Sequence, residues 1–165
     1  MTDVKSALPL DEEELRQAIE LLYFAYRGFT SGPDAILSQM GMGRAHHRVI
    51  YFVGRNPGVT VSALLGILRI TKQSLARVLS QLVQDGYVSQ TPGPKDRRQR
   101  LLALTEKGIE FEKQLTARQS HVVARALSVE DRDHVDAFRR ILHELVAEGD
   151  RRHLPPPPSG RKAEQ

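Results

Sequence analysis

Thr71-Lys72-Gln73-Ser74-Leu75-Ala76-Arg77-Val78-Leu79-Ser80-Gln81-Leu82-Val83-Gln84, followed by Asp85-Gly86-Tyr87-Val88, is the stretch whose reading decides the fold. Leu75, Val78, Leu79, Leu82 and Val83 recur at i, i+3, i+4, i+7 and i+8, the stripe of a helix packed along one face. Thr71 suits the N-cap, and Gly86 stands where a helix C-terminal glycine belongs. The opposite face carries Lys72, Gln73, Ser74, Ala76, Arg77, Ser80 and Gln81. It is polar, short-chained and basic, with no acidic residue before Asp85. Such a face fits a DNA major groove, where Lys, Arg, Gln and Ser reach base edges and phosphates. An ordinary solvated face has a similar composition, so this helix alone leaves both readings open.

Its neighbours shift the balance. Upstream, Asn56-Pro57-Gly58 reads as a turn. A short helix from about Val61 to Leu68 follows, capped by Thr60 or Ser62, with Leu64, Leu65 and Leu68 set to pack on Leu75 and Leu79. Downstream, Tyr87 to Gln90 and Arg100 to Leu104 read as two strands. The tip between them, Thr91-Pro92-Gly93-Pro94-Lys95-Asp96-Arg97-Arg98-Gln99, is rich in turn formers and then basic. Helix, turn, polar-faced helix and cation-tipped hairpin, in that order, outline a winged helix-turn-helix.

With those residues in view, the chain resembles the MarR family of bacterial transcription regulators. The matching runs are Thr71-Lys72-Gln73-Ser74-Leu75, Leu82-Val83-Gln84-Asp85-Gly86-Tyr87-Val88, Asp96-Arg97-Arg98 and Leu104-Thr105-Glu106-Lys107-Gly108. The resemblance extends from about Asp11 to about Glu148. It implies a mainly α fold with a small β-hairpin wing, a winged helix-turn-helix flanked by N- and C-terminal dimerisation helices. It also implies a homodimer on a pseudo-palindromic double-stranded DNA operator, acting as a repressor. One departure stands out: the helix-turn-helix position before Ile70, often glycine, is Arg69. Either Arg69 accepts a left-handed backbone at roughly 1 kcal/mol, or the turn is built differently.

The candidate DNA-binding residues are Ser62, Thr71, Lys72, Gln73, Ser74, Arg77, Lys95, Asp96, Arg97, Arg98 and Arg100. Arg77 matches guanine and Gln73 adenine in bidentate geometry, and Ser62 suits a phosphate at a helix start. Arg44 and His47 are weaker candidates. By the resemblance, Asp96 and Arg98 shape the wing while Arg97 enters the minor groove, a contact that reads shape more than sequence. The family layout also places a small effector between the DNA-binding and dimerisation parts. Tyr26, Met40, Met42 and His46 are the residues nearest that cleft, and a phenolic or other aromatic acid, or no ligand at all, remains open.

Composition bounds the alternatives. The 165 residues carry 40% hydrophobic and 27% charged side chains and a formal charge of +4, which favours a polyanionic partner. The absence of cysteine removes disulfides, thiolate metal ligands and thiol-based oxidation sensing. No tryptophan and few aromatic residues argue against stacking on single strands. There is no His-x-x-x-His pair, no phosphate-binding glycine loop, no Gly-x-Ser-x-Gly elbow and no acid/base pair. No metal, cofactor or enzymatic activity is therefore expected. Neither a membrane span nor a signal peptide is visible, so the expected location is the cytoplasm. A winged-helix protein–protein adaptor, or a non-specific architectural DNA-binding protein, is the competing class.

The flanks complete the expected organisation: a flexible arm at 1–10, a single domain at 11–148 with its winged helix-turn-helix at about 43–105, and a disordered Pro/Arg-rich tail at 149–165. Dimerisation helices are expected at about 11–31 and 105–148. Asp11 and Glu14 have capping-box spacing, and Ser31-Gly32-Pro33 is expected to end the first helix. Arg44 to about Gly54 reads as a second helix, Thr105 as the cap of a helix reaching about Leu127, and Ser128 as the start of another that reaches about Ala147.

Overall fold

The computed structural model describes residues 10–159, so the expected N-terminal arm lies outside the described residues apart from Leu10, as does the end of the tail. Helix α1 spans Glu12–Gln39 and opens with the expected reciprocal cap: Asp11 Oδ1 accepts from the Glu14 amide at 2.9 Å, and Glu14 Oε2 from the Asp11 amide at 2.8 Å. The expected break at Ser31-Gly32-Pro33 does not occur; α1 continues through Pro33 to Gln39. An internal proline removes one helix hydrogen bond at a cost of about 3 kcal/mol. Packing offsets it, since Thr30, Pro33 and Leu37 are buried and a buried leucine contributes about 1.5–3 kcal/mol. In the same stretch Thr30 Oγ1 donates to the Tyr26 carbonyl at 2.9 Å and Ser31 Oγ to that of Gly28 at 2.9 Å.

Helix α2 (Arg44–Arg55) buries Val49, Ile50 and Val53. A two-residue strand β1 (Val59–Thr60), not anticipated from the sequence, leads into α3 (Val61–Leu68), and Thr60 Oγ1 accepts from the Ala63 amide at 3.1 Å. Arg69 then takes φ 51° and ψ 42°, the left-handed region, while its amide closes α3 on the Leu65 carbonyl at 2.9 Å. Of the two constructions open at this turn, the strained one is adopted.

Helix α4 (Lys72–Gln84) buries Leu75, Val78, Leu79 and Leu82. It ends with Gly86 at φ 78°, where the Gly86 and Tyr87 amides bond the carbonyls of Val83 and Leu82 at 3.1 and 2.8 Å. This double bond is the Schellman closure that a left-handed glycine permits. Strands β2 (Val88–Pro92) and β3 (Arg100–Leu104) pair antiparallel, with Val88 opposite Leu104 and Pro92 opposite Arg100. Strand β1 adds to the other side of β3, giving the order β1-β3-β2.

Helix α5 (Glu106–Leu127) is capped by Thr105 as expected. Its buried residues are Gly108, Phe111 and Leu115, while Ile109 is 45% exposed. Ser128 does not start the next helix. It ends α5, and Asp131 caps α6 (Arg132–Leu145) by accepting from the His134 amide at 2.9 Å. One further turn, α7 (Glu148–Arg151), lies where the disordered tail was expected to begin. One core gathers Leu37, Val49, Ile50, Val53, Leu64, Leu75, Leu82, Leu102 and Leu115, all fully buried. α6 contributes no buried residue to it.

Candidate nucleic-acid interface

The first turn of α4 is ordered by its own side chains. Thr71 Oγ1 accepts from the Ser74 amide at 3.1 Å and donates to Ser74 Oγ at 2.9 Å. Both hydroxyls are therefore engaged in the cap, while Lys72, Gln73 and Arg77, the candidate base readers, are exposed. Ser62, also exposed, lies in the first turn of α3 just after the Thr60 cap. The far end of α4 is held in two ways the sequence did not reveal. Lys107 Nζ donates to the Asp85 carbonyl at 2.7 Å and lies 4.2 Å from the Tyr87 ring centroid. A cation at a helix C-terminus meets the negative end of the dipole. His46 Nδ1 accepts from the Gly43 amide at 3.1 Å, so Nε2 carries the proton and donates to Gln81 Oε1 at 2.8 Å.

The wing tip carries Lys95, Asp96, Arg97, Arg98 and Arg100, all exposed. Asp96 Oδ1 accepts from the backbone amide of Arg98 at 2.9 Å, and the Gln99 amide reaches the Asp96 carbonyl at 3.1 Å. The carboxylate thus folds the tip through the backbone and leaves the Arg97 and Arg98 guanidinium groups pointing into solvent. Gly93 closes the loop on the Gln99 carbonyl at 3.0 Å.

A separate cavity of about 630 Å³ lies between α1, α2 and α5. Of the four expected effector residues only Tyr26 lines it. Met42 is buried in the core, Met40 is exposed, and His46 is occupied with Gly43 and Gln81. Arg44, His47, Arg48, Tyr51 and Gln119 line it instead. Arg44 reaches Asp34 at 2.8 Å, a pairing that raises its pKa, and Arg48 Nη2 donates to the Tyr26 hydroxyl at 3.2 Å. His47 is pushed below its ordinary pKa, first by burial and further by Arg48, with Asp34 and Glu112 opposing. The described residues contain no group of three or more His, Asp or Glu side chains able to hold a metal ion, and no helix long and apolar enough to cross a membrane.

Comparison with known proteins agrees with this architecture. The model of the MarR family matches residues 40–99. The helix-turn-helix-type transcriptional regulator PetP of Rhodobacter capsulatus is 45% identical over 149 residues, 90% of each chain. Among solved structures, Streptococcus pneumoniae FabT in complex with DNA superposes with TM-score 0.70 at 19% identity, covering 79% of this chain and 94% of that one. A mutant E. coli MarR complexed with operator DNA gives TM-score 0.62 at 21% identity, covering 84% and 100%.

Proposed function

This chain belongs to the MarR family of transcription regulators, and from that premise we propose that it is a homodimeric, sequence-specific repressor of a pseudo-palindromic operator. The observation that carries the reading is the pairing of two exposed surfaces: the acid-free face of α4 and the cationic wing tip on one small sheet. Lys72, Gln73 and Arg77 read the major groove, and Arg97 the minor groove of the flanking step. Ser62, Lys95, Arg98 and Arg100 contact phosphates, while Thr71, Ser74 and Asp96 shape the surfaces that present them.

The dimer rests on apolar residues that one chain leaves in water. Ile19, Leu22 and Tyr23 on α1 and Ile141 and Leu145 on α6 are between 47% and 66% exposed, a stripe that a second copy covers. Two recognition helices then meet half-sites about 34–36 Å apart. The cavity is the effector site of this reading. Its volume lies within the ordinary range for small ligands, and Arg44 and Arg48 suit the carboxylate of an aromatic acid. Such a ligand acts only through unequal affinity for the two spacings of the recognition helices.

Selecting duplexes from a random library, then measuring affinity against salt, tests the regulator. A two-fold symmetric site with a slope of several units is expected. Salt-dependent binding without an enriched sequence turns the reading into an architectural protein, and no duplex binding turns it into an adaptor. Thermal-shift screening with aromatic acids tests the cavity, and its role as effector site is lost if no compound raises the melting temperature.

A further inference from the structure

Arg69 stands two residues before the α4 cap, in the turn that aims the recognition helix, and it is the non-glycine residue with positive φ among those described. Its guanidinium does not reach solvent alone. Nη2 lies 2.8 Å from Asp150 Oδ1 on α7, an ion pair by distance, and that oxygen is shielded from water and accepts no hydrogen bond among the described residues. Gly149 of α7 also lies beside the guanidinium, since a Cβ added there would sit 3.2 Å from the same nitrogen. α7 is itself anchored to the end of α6. Arg151 Nη2 donates to the Glu144 carboxylate at 2.9 Å and its carbonyl at 3.1 Å, and Nε to the Val146 carbonyl at 3.2 Å.

We infer that Asp150 is a positioning residue for DNA recognition: the Arg69–Asp150 clasp ties the last turn of the chain to the helix-turn-helix corner and sets the entry of α4. This rests on the regulator reading above. The path runs from α6, whose Phe138, Ile141 and Leu145 are left exposed by the described residues, through Arg151 to α7, then through Asp150 to Arg69 and the Thr71 cap. A left-handed arginine holds its place only where its surroundings over-determine it, and the clasp supplies a partner that the backbone conformation alone does not. The competing role for Arg69 is a direct phosphate contact that Asp150 would oppose.

The two roles give opposite signs. In the full-length free protein, Asp150→Asn is expected to speed hydrogen exchange at the Arg69, Ser74 and Leu75 amides, which close on Leu65 and Thr71, with the core amides unchanged. Against the duplex that the wild-type protein selects, Asp150→Asn and Arg69→Gly should each lower affinity about three- to fivefold, the range of an exposed ion pair, with an unaltered salt slope. The pair of changes should cost no more than either alone, and exchanging the charges (Arg69→Asp with Asp150→Arg) should restore binding, aspartate being tolerant of the left-handed region. Unchanged exchange overturns the clasp. So does tighter binding by Asp150→Asn, or a salt slope about one unit shallower in Arg69→Gly, which marks a lost phosphate contact. If the wild-type protein selects no duplex, the regulator reading falls, and the exchange measurement still decides whether the clasp holds the turn.

Discussion

Thr105 Oγ1 donates to the carbonyl of Gly86 at 2.6 Å while accepting from the Gly108 amide at 3.0 Å. One hydroxyl therefore ties the residue that closes the recognition helix to the first turn of α5. Replacing it with valine keeps the shape and removes both bonds. Thr105→Val should cost about 1–2 kcal/mol, the sum expected for a helix cap and a part-buried hydrogen bond, read as a lower urea midpoint with unchanged slope. An unchanged midpoint would show that water replaces the hydroxyl at no cost.

Gly108 is required by a different constraint. A Cβ there would fall 2.0 Å from the Tyr87 carbonyl oxygen, backbone that cannot swing aside. Gly108→Ala should therefore destabilise by about 3 kcal/mol, the upper range of overpacking. Calorimetry checks this, and a melting temperature within a degree or so of wild type would contradict the close approach.

His47 makes stability depend on pH. The folded state favours its neutral form, because burial lowers its pKa below the ordinary 6.5. The unfolded chain takes up a proton near that value. The stabilising contribution is thus complete above it and is lost as pH falls through the lower folded value. Urea midpoints should fall between about pH 7.5 and about pH 5, and His47→Gln should flatten part of that fall. Equal slopes in both proteins would assign the effect to other groups.

Asp96 separates shape from charge at the wing. Removing an acid near phosphates raises affinity if only charge matters. Because the carboxylate holds the Arg98 amide, Asp96→Ala should instead lower affinity, whereas Arg98→Ala, which removes a proposed phosphate contact, should also make the salt slope about one unit shallower. Fluorescence anisotropy across a salt series reads both. Tighter binding by Asp96→Ala would remove its shaping role.

The proposed subunit contact is tested by charge. Ile141 and Leu145 are each 61% exposed, so glutamate at either place should leave the monomer folded and weaken its dimer. Sedimentation at several concentrations should show dissociation, with operator affinity down more than about tenfold because two half-sites no longer act together. A dimer that survives both changes places the contact elsewhere.

What the sequence disclosed is what local pattern encodes. α4, the hairpin strands and the caps at Asp11, Thr60, Thr71 and Thr105 follow from neighbouring residues, so they were readable in order along the chain. Strand β1 escaped because two residues are too few to show alternation. Pro33 misled because the compensation for a proline lies in what α1 buries, and burial is tertiary. The cavity brings together α1, α2 and α5, and the Arg69–Asp150 pair joins positions 81 apart; no spacing rule reports either. His46 was assigned to a ligand cleft, yet its ring nitrogens serve Gly43 and Gln81.

The knot at Thr105 and Gly108 has a mechanical consequence. It ties the junction of α4 and β2 to the start of α5, so a rigid tilt of α5 would carry that junction with it. At 22 residues, α5 is about 33 Å long. A tilt of about 5° at its far end swings the near end by about 3 Å, roughly one hydrogen-bond length. In the proposed repressor, the grip of the wing on a groove would then depend on an angle set at the opposite end of a rod.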